Sequence, residues 1–244
     1  MASTMRAYEA LKARIAPVLR FNQQIYEEVL TAQVKASTVW LDAGCGRHLL
    51  PPWREDQERS LIQRAGIVVG CDVDEGGLRR HRSISRMVVA DLERLPFRTG
   101  SVQLITSNMV VEHLERPDVV FSEFARILKT GGRVVVHTPN AHSHFVVGAR
   151  LVPRWLKVRL ARRLDGREAD EVFPAHYRAN TRGRLRAAMT AAGLREESCR
   201  MVANDAVFAL AGRIPAALEL LYIRLTMTRA FRFLRVTILG TFVK

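Results

Sequence analysis

The feature that most constrains this chain is an apolar run at residues 39–42 that ends in an acid and enters a glycine-spaced loop. Val39, Trp40 and Leu41 followed by Asp42 predict a buried strand whose carboxyl end opens into a turn. Gly44 and Gly46 permit a tight turn and a close approach to a ligand, because neither carries a Cβ. A helix starting nearby would direct free N–H groups into the same space. The segment predicts a ligand-binding loop, with an ordinary tight turn as the alternative.

Two further apolar runs also end in acids. Residues 66–74 form a second predicted strand that reaches Asp72, and residues 87–92 form a third that reaches Asp91. The interval to Asp72 is that at which a doubly wound fold places the carboxylate that holds a ribose. Three such strands in one parallel sheet would align their acids along the crevice where open sheets bind ligands. The pattern therefore predicts an α/β fold with a ligand at the carboxyl edge of its sheet.

Five sequence blocks, in order, resemble the class I S-adenosylmethionine-dependent methyltransferases of the broad small-molecule group, which includes quinone and glycan methyltransferases. The resemblance implies a doubly wound, Rossmann-like sheet of seven strands, mostly parallel with the last antiparallel, preceded by N-terminal helices and carrying a helical insertion before the last strand. His48 stands where the family has its third glycine, so the loop must take a course that tolerates a side chain. The blocks are Leu-Asp-Ala-Gly-Cys-Gly at 41–46, Val-Gly-Cys-Asp at 69–72, Ala-Asp-Leu-Glu-Arg-Leu-Pro-Phe at 90–97, Val-Val-Glu-His-Leu at 110–114 and Arg-Ile-Leu-Lys-Thr-Gly-Gly-Arg at 126–133.

The resemblance also implies S-adenosylmethionine as cofactor and assigns residues to it. Asp72 is expected to bind the ribose hydroxyls, since a carboxylate accepts two hydrogen bonds strongly. Asp91 and the Leu92 backbone match the family position near the adenine amino group, and Asp74 is expected to cap the next helix instead. The expected cofactor-binding residues are Asp42, Gly44, Cys45, Gly46, Asp72, Val73, Asp91, Leu92 and Asn108.

Candidate catalytic residues come from two segments. His113 follows Glu112 at the expected methyl-transfer site and is either a general base or a structural histidine that binds a neighbouring loop. Related O-methyltransferases hold a metal with a similar pair and an earlier Glu, but Met109 occupies that position here, so no metal is expected. Residues 173–181 predict a loop over the active site, which makes His176 and Tyr177 further catalytic candidates.

Charge admits other classes of function. The chain has 38 Lys and Arg residues, of which five are lysine, against 24 Asp and Glu residues, for a net charge of +14. This surplus is typical of proteins that bind nucleic acid or an anionic membrane. An RNA-binding or RNA-modifying protein is therefore an alternative, although no recognisable RNA-binding module is present and nucleic acid is not the expected partner. A nicotinamide oxidoreductase is less favoured, because Leu49 stands where its third glycine would be.

The chain is expected to form one methyltransferase domain over residues 1–244. Residues 1–37 would be lid helices, 38–140 the cofactor-binding core and 141–244 the substrate-side half, with the insertion at about 206–234. Three cysteines without metal-ligand spacing and no apolar span long enough to cross a bilayer predict a cytoplasmic protein. The insertion is apolar and carries arginines, and the basic stretch at 150–163 could add to the same face. Three roles are therefore possible for the insertion: binding a membrane surface, forming a homodimer and covering the substrate as a lid. If the insertion binds a membrane, the protein would be attached peripherally at its inner face.

The element boundaries in the second half are also predicted. A helix is expected over 117–129, ended by Gly131 and Gly132, before a strand at 133–138. A helix from 182 to 192 with Thr181 as its cap, a strand at 197–202 and a final strand at 235–243 complete the expected sheet.

Overall fold

The computed structural model describes residues 2–151, 173–207 and 212–244. Most of the basic stretch at 150–163 and part of the insertion therefore lie outside the described residues. The described helices and strands, in chain order, are α1 (Ala2–Ile15), α2 (Asn22–Gln33), β1 (Val39–Ala43), α3 (Glu55–Arg64), β2 (Ile67–Asp72), α4 (Glu75–Arg79), β3 (Met87–Val89), β4 (Val102–Asn108), α5 (Pro117–Ile127), β5 (Leu128–Pro139), α6 (His144–Leu151), α7 (Arg182–Ala191), β6 (Arg195–Val202), α8 (Arg213–Met227) and β7 (Thr237–Val243).

The strands form one seven-stranded sheet in the order β3-β2-β1-β4-β5-β7-β6. β1 pairs in parallel with both β2 and β4, and β7 pairs antiparallel to β5 and β6. The predicted fold class is confirmed, including the antiparallel last strand. The strand order reverses between β1 and β4, which is the topological switch point where open α/β sheets bind ligands. The first glycine loop follows β1 at this point.

The start of β5 differs from the prediction. The helix before it ends at Ile127, and the strand begins at Leu128 rather than after Gly132. Leu128 pairs with Val102, and the register then shifts before Leu104 pairs with Arg133. Gly131, with φ +77°, and Gly132 therefore lie within this irregular strand instead of ending the helix. Leu128 is fully buried, and its pairing with Val102 takes the place of one more helical turn.

The sheet carries an apolar core on each face. One core centres on Phe121 and Phe124 of α5 against the strands, and the other on Trp40 and Tyr26, with Tyr26 fully buried against His137. A third core joins α1 to α8 through Tyr8, Leu220 and Ile223, among others. No helix within the described residues has the length and apolar character needed to cross a membrane.

Candidate active site

The loop after β1 is built around two glycines in the left-handed region. Gly44 has φ +73° and Gly46 has φ +52°, and the amides of Gly44 and Cys45 both donate to the Cys71 carbonyl at 2.7 and 3.1 Å. A Cβ on Gly44 would lie 2.4 Å from Cγ2 of Val110. Position 44 therefore requires glycine for two reasons: its backbone is in the left-handed region, and Val110 leaves no space for a Cβ.

Asp72 ends β2 directly beside this loop. Its Oδ2 accepts the Gly46 amide at 2.9 Å, and its Oδ1 accepts the Asp74 amide at 3.0 Å. Each carboxylate oxygen has two lone pairs, so each retains acceptor capacity after its backbone bond. Asp74 is the residue before α4, as expected, but its side chain makes no capping hydrogen bond.

A cavity of about 750 Å³ opens at the carboxyl ends of β1, β2 and β4. This volume is in the range typical of small-molecule sites. Of the nine expected cofactor residues, six line it and three do not. The six are Gly44, Gly46, Asp72, Val73, Asp91 and Leu92; the other three are Asp42, Cys45 and Asn108.

Asp42 lies beneath the loop and is only 3% exposed. Trp40 donates from Nε1 to Thr106 Oγ1 at 2.7 Å, and Thr106 donates to Asp42 Oδ1 at 2.5 Å. Burial raises the pKa of Asp42 to about 7, although the Thr106 hydrogen bond opposes the shift. Cys45 is also buried, and its Sγ packs closely on Gly70: a Cβ added to Gly70 would lie 2.8 Å from that sulfur. Both residues support the loop from below.

Asn108 is directed toward the protein interior. Its side-chain amide donates to Gln23 Oε1 at 3.3 Å, and its oxygen accepts from His137 Nδ1 at 2.8 Å. Burial lowers the pKa of His137 to about 3, so this histidine is neutral and serves as a hydrogen-bonded core residue.

His113 lines the cavity from the short helical turn after β4. Its Nδ1 lies 2.8 Å from the Pro174 carbonyl oxygen, which can only accept, so Nδ1 carries the proton. In the neutral ring, Nε2 is then an acceptor. It lies 3.9 Å from Glu112 Oε1, and the ring packs edge-on against Phe173 at 6.1 Å.

Glu112 joins His113 to the loop at 173–181. Its carbonyl accepts the amides of His176 and Tyr177 at 2.7 and 3.0 Å, while Thr138 donates to its Oε2 at 2.9 Å. Burial raises the pKa of the Glu112 carboxyl. His176 and Tyr177 are therefore adjacent to His113 in the fold, but neither lines the cavity.

Across residues 2–151, 173–207 and 212–244, no group of three His, Cys, Asp or Glu side chains is arranged to hold a metal ion.

Several cavity residues were not among the predicted site residues. Met109 has φ +57° and lines the cavity, as does Phe173 from the distant loop. Glu93 and Arg116 also line it and form an ion pair. The position of Met109 directly after β4 could have indicated it. The loop that begins at Phe173 was expected over the active site, but Phe173 itself was not among the predicted site residues.

The loop between Gly46 and α3 is anchored by a buried ion pair. Leu49 and Leu50 are buried, and the Leu50 amide donates to Glu58 Oε2 at 2.8 Å. Arg82 donates to the same Glu58 oxygen at 2.5 Å and to the Leu50 carbonyl at 2.6 Å. His48 is exposed, which explains how the loop accepts a side chain at the third-glycine position.

Residues 41–136 match the family model described as "Methyltransferase domain". A malonyl-[acyl-carrier protein] O-methyltransferase of Hahella chejuensis is 30% identical over 131 residues, which are 48% of this chain and 44% of that protein. The same-named protein of Methylococcus capsulatus is 42% identical over 76 residues, covering 29% of this chain and 28% of that protein. The chain thus spans less than half the length of either relative.

The fold has solved counterparts. An S-adenosylmethionine-dependent methyltransferase of Mesorhizobium loti aligns with a TM-score of 0.56 at 20% identity, covering 89% of this chain and 96% of that one. The domain match over the glycine loop, Asp72, Asp91 and His113 agrees with this likeness in fold. Residues 41–136 therefore match a methyltransferase domain, and the chain has the fold of an S-adenosylmethionine-dependent methyltransferase.

Proposed function

We propose that this protein transfers the methyl group of S-adenosylmethionine to a hydroxyl oxygen of a small molecule, such as a lipid-linked, glycan or other secondary-metabolite acceptor. The observation that carries the proposal is the placement of Asp72 and His113 on one cavity. Asp72 is a carboxylate suited to a ribose, and His113 is a base candidate suited to a hydroxyl.

The cavity fits the cofactor chemically. Asp72 has acceptor capacity left on both oxygens, which matches the two hydroxyls of a ribose. A Cβ on Gly46 would meet no atom within 4 Å, so the loop leaves open space beside the carboxylate. Asp91 and Leu92 line the cavity beyond it and would hold the adenine, as the resemblance implies.

The bound cofactor would supply an activated methyl group on a sulfonium. The protein's main task is then to hold the acceptor oxygen in line with that methyl group, because positioning alone can lower the barrier by roughly 7–11 kcal/mol. Phe173, Met109 and Val110 line the cavity and would exclude water around the acceptor.

His113 would remove the proton from the acceptor hydroxyl. Its Nδ1 hydrogen is committed to the Pro174 carbonyl, which leaves Nε2 with the lone pair that a general base needs. Once protonated, the ring would be stabilised by Glu112, whose Oε1 lies 3.9 Å from Nε2. His176 and Tyr177 would act on this step by holding Glu112 through their backbone amides.

The choice of an oxygen acceptor is supported by the relatives, whose printed names are O-methyltransferases. Nucleic acid is not expected as the acceptor. We also propose that the enzyme works in the cytoplasm at the inner face of a membrane, where a hydrophobic acceptor would be available.

The test is transfer of a radiolabelled methyl group from S-adenosylmethionine into fractionated lipid, glycan and RNA extracts. Label in an organic-extractable or glycan product, stable to RNase and lost with His113→Ala, supports the proposal. Label confined to RNA, or hydride transfer from NADH without methylation, would reject it.

A further inference from the structure

The outer face of α8 is an exposed apolar stripe. Ile214, Leu218, Leu221 and Leu225 recur at intervals of four, three and four residues, which places them on one side of the helix. They are 75%, 64%, 51% and 45% exposed. The opposite side packs into the core shared with α1. We call these four residues the α8 stripe; within the described residues nothing covers it.

The segment that carries the α8 stripe is strongly basic. Between residues 206 and 244 the sequence contains a single acid, Glu219. That carboxylate is buried, and its Oε1 lies 3.2 Å from His144 Nε2, so it does not offset charge at the surface. The exposed cations near the stripe are Arg213, Arg224, Arg229 and Arg232.

Two aromatic side chains extend the apolar surface past the end of α8. Phe231 is 40% exposed and Phe233 is 51% exposed. Large apolar side chains beside arginines suit the boundary between lipid headgroups and acyl chains, because arginine stems can lie along apolar surface while their charged ends reach phosphates.

We propose that the α8 stripe binds an anionic membrane surface, with α8 lying in the plane of the interface. Charge decides between this occupant and a second copy of the chain. Two α8 stripes packed together would bring arginine rims together without an exposed acid from this segment to oppose them. Anionic headgroups would complement the positive charge of the same rim.

The position of α8 connects this surface to the catalytic edge. Asn140, directly after β5, donates to the carbonyls of Phe233 and Arg235 at 2.7 Å each. His144 at the start of α6 contacts Glu219 and Tyr222 of α8. The stripe is thus tied to the carboxyl end of β5, the edge at which the cavity opens. Collection of a hydrophobic acceptor there rests on the proposed function, whereas membrane binding does not.

Vesicle sedimentation of the full chain tests the proposal. Vesicles of phosphatidylcholine with phosphatidylglycerol are compared with phosphatidylcholine alone, at low and high salt. We expect binding to the anionic vesicles only, weakened by salt. The double substitution Leu218→Ser and Leu221→Ser should lower the bound fraction about tenfold or more, since it removes two exposed apolar side chains from the stripe.

Matched controls separate this surface from general effects. Ile67→Ser removes an exposed apolar side chain at the amino end of β2, and Arg59→Gln with Arg64→Gln removes two charges on α3; both should bind vesicles like the parent. Arg213→Gln with Arg224→Gln should weaken binding. Thermal unfolding shows that each variant is folded, and calorimetry with S-adenosylmethionine reports the proposed function separately.

The proposal is overturned if the parent protein ignores anionic vesicles or if the leucine variant binds them equally well. It is also overturned by a salt-insensitive dimer in analytical ultracentrifugation that dissociates in the leucine variant.

Discussion

Replacing Asp72 by alanine should weaken the binding of S-adenosylmethionine by about 2 kcal/mol or more, roughly 30-fold in Kd. The substitution removes the carboxylate that would bind the ribose hydroxyls. It also removes the acceptor of the Gly46 and Asp74 amides, so the loop loses part of its support. Hydrogen bonds to a charged partner contribute about 1.5–3 kcal/mol each, and losing one ribose bond would already reach the expected magnitude.

The assay is isothermal calorimetry with S-adenosylmethionine and with its demethylated product. Asp74→Ala is the matched control, because it removes a carboxylate two residues after Asp72. The Asp74 side chain makes no capping hydrogen bond to α4 and does not line the cavity. We expect its affinity to stay within about threefold of the parent protein.

A urea titration without cofactor separates the two effects of Asp72→Ala. The lost loop contacts appear there as a lower free energy of unfolding, whereas the lost ribose contacts appear only in the cofactor affinity. If Asp72→Ala binds the cofactor as tightly as the parent, the carboxylate does not contact the ribose and the assigned site is wrong.

Three further predictions concern turnover, backbone geometry and pH. His113→Ala should lower the methylation rate by about 100-fold or more while cofactor affinity changes little; equal losses of rate and thermal stability would leave it a structural residue. Gly44→Ala should lower the free energy of unfolding in urea by about 2–4 kcal/mol, because the backbone has φ +73° and the new Cβ would clash with Val110. The control Gly100→Ala, at φ +63° with open space around the Cβ, should lower it by about 1 kcal/mol. Asp42 has a folded-state pKa raised to about 7, so its contribution to stability is full below about pH 4 and is lost as pH rises through 7. Relative to Asp42→Asn, the parent should lose on the order of 4 kcal/mol across that window in urea titrations, and parallel pH profiles would contradict the shift.

The sequence allowed the fold to be predicted because its signals are local. Apolar runs that end in acids define the carboxyl edge of the sheet, and Gly44 and Gly46 do have the positive φ values that a glycine-specific turn implies. Thr181 likewise accepts the Arg184 amide at 3.2 Å, as expected of a helix cap.

Long-range contacts could not be predicted in the same way. The direction of Asn108 depends on a neutral, buried His137 that only the assembled sheet brings beside it. The loop at 173–181 was expected over the active site, but its anchoring on the Glu112 carbonyl, which brings Phe173 to the cavity, depends on a contact between distant segments. The early start of β5 depends on Leu128 pairing with Val102 of another strand. The apolar spacing of α8 was visible in the sequence, but its exposure required the fold.

The central claim is that the cavity beside Asp72 binds S-adenosylmethionine, and equilibrium calorimetry on the purified chain tests it most directly. We predict a single site for S-adenosylmethionine, competed by its demethylated product, and no comparable heat with NADH. Tight NADH binding without any response to S-adenosylmethionine would contradict the account.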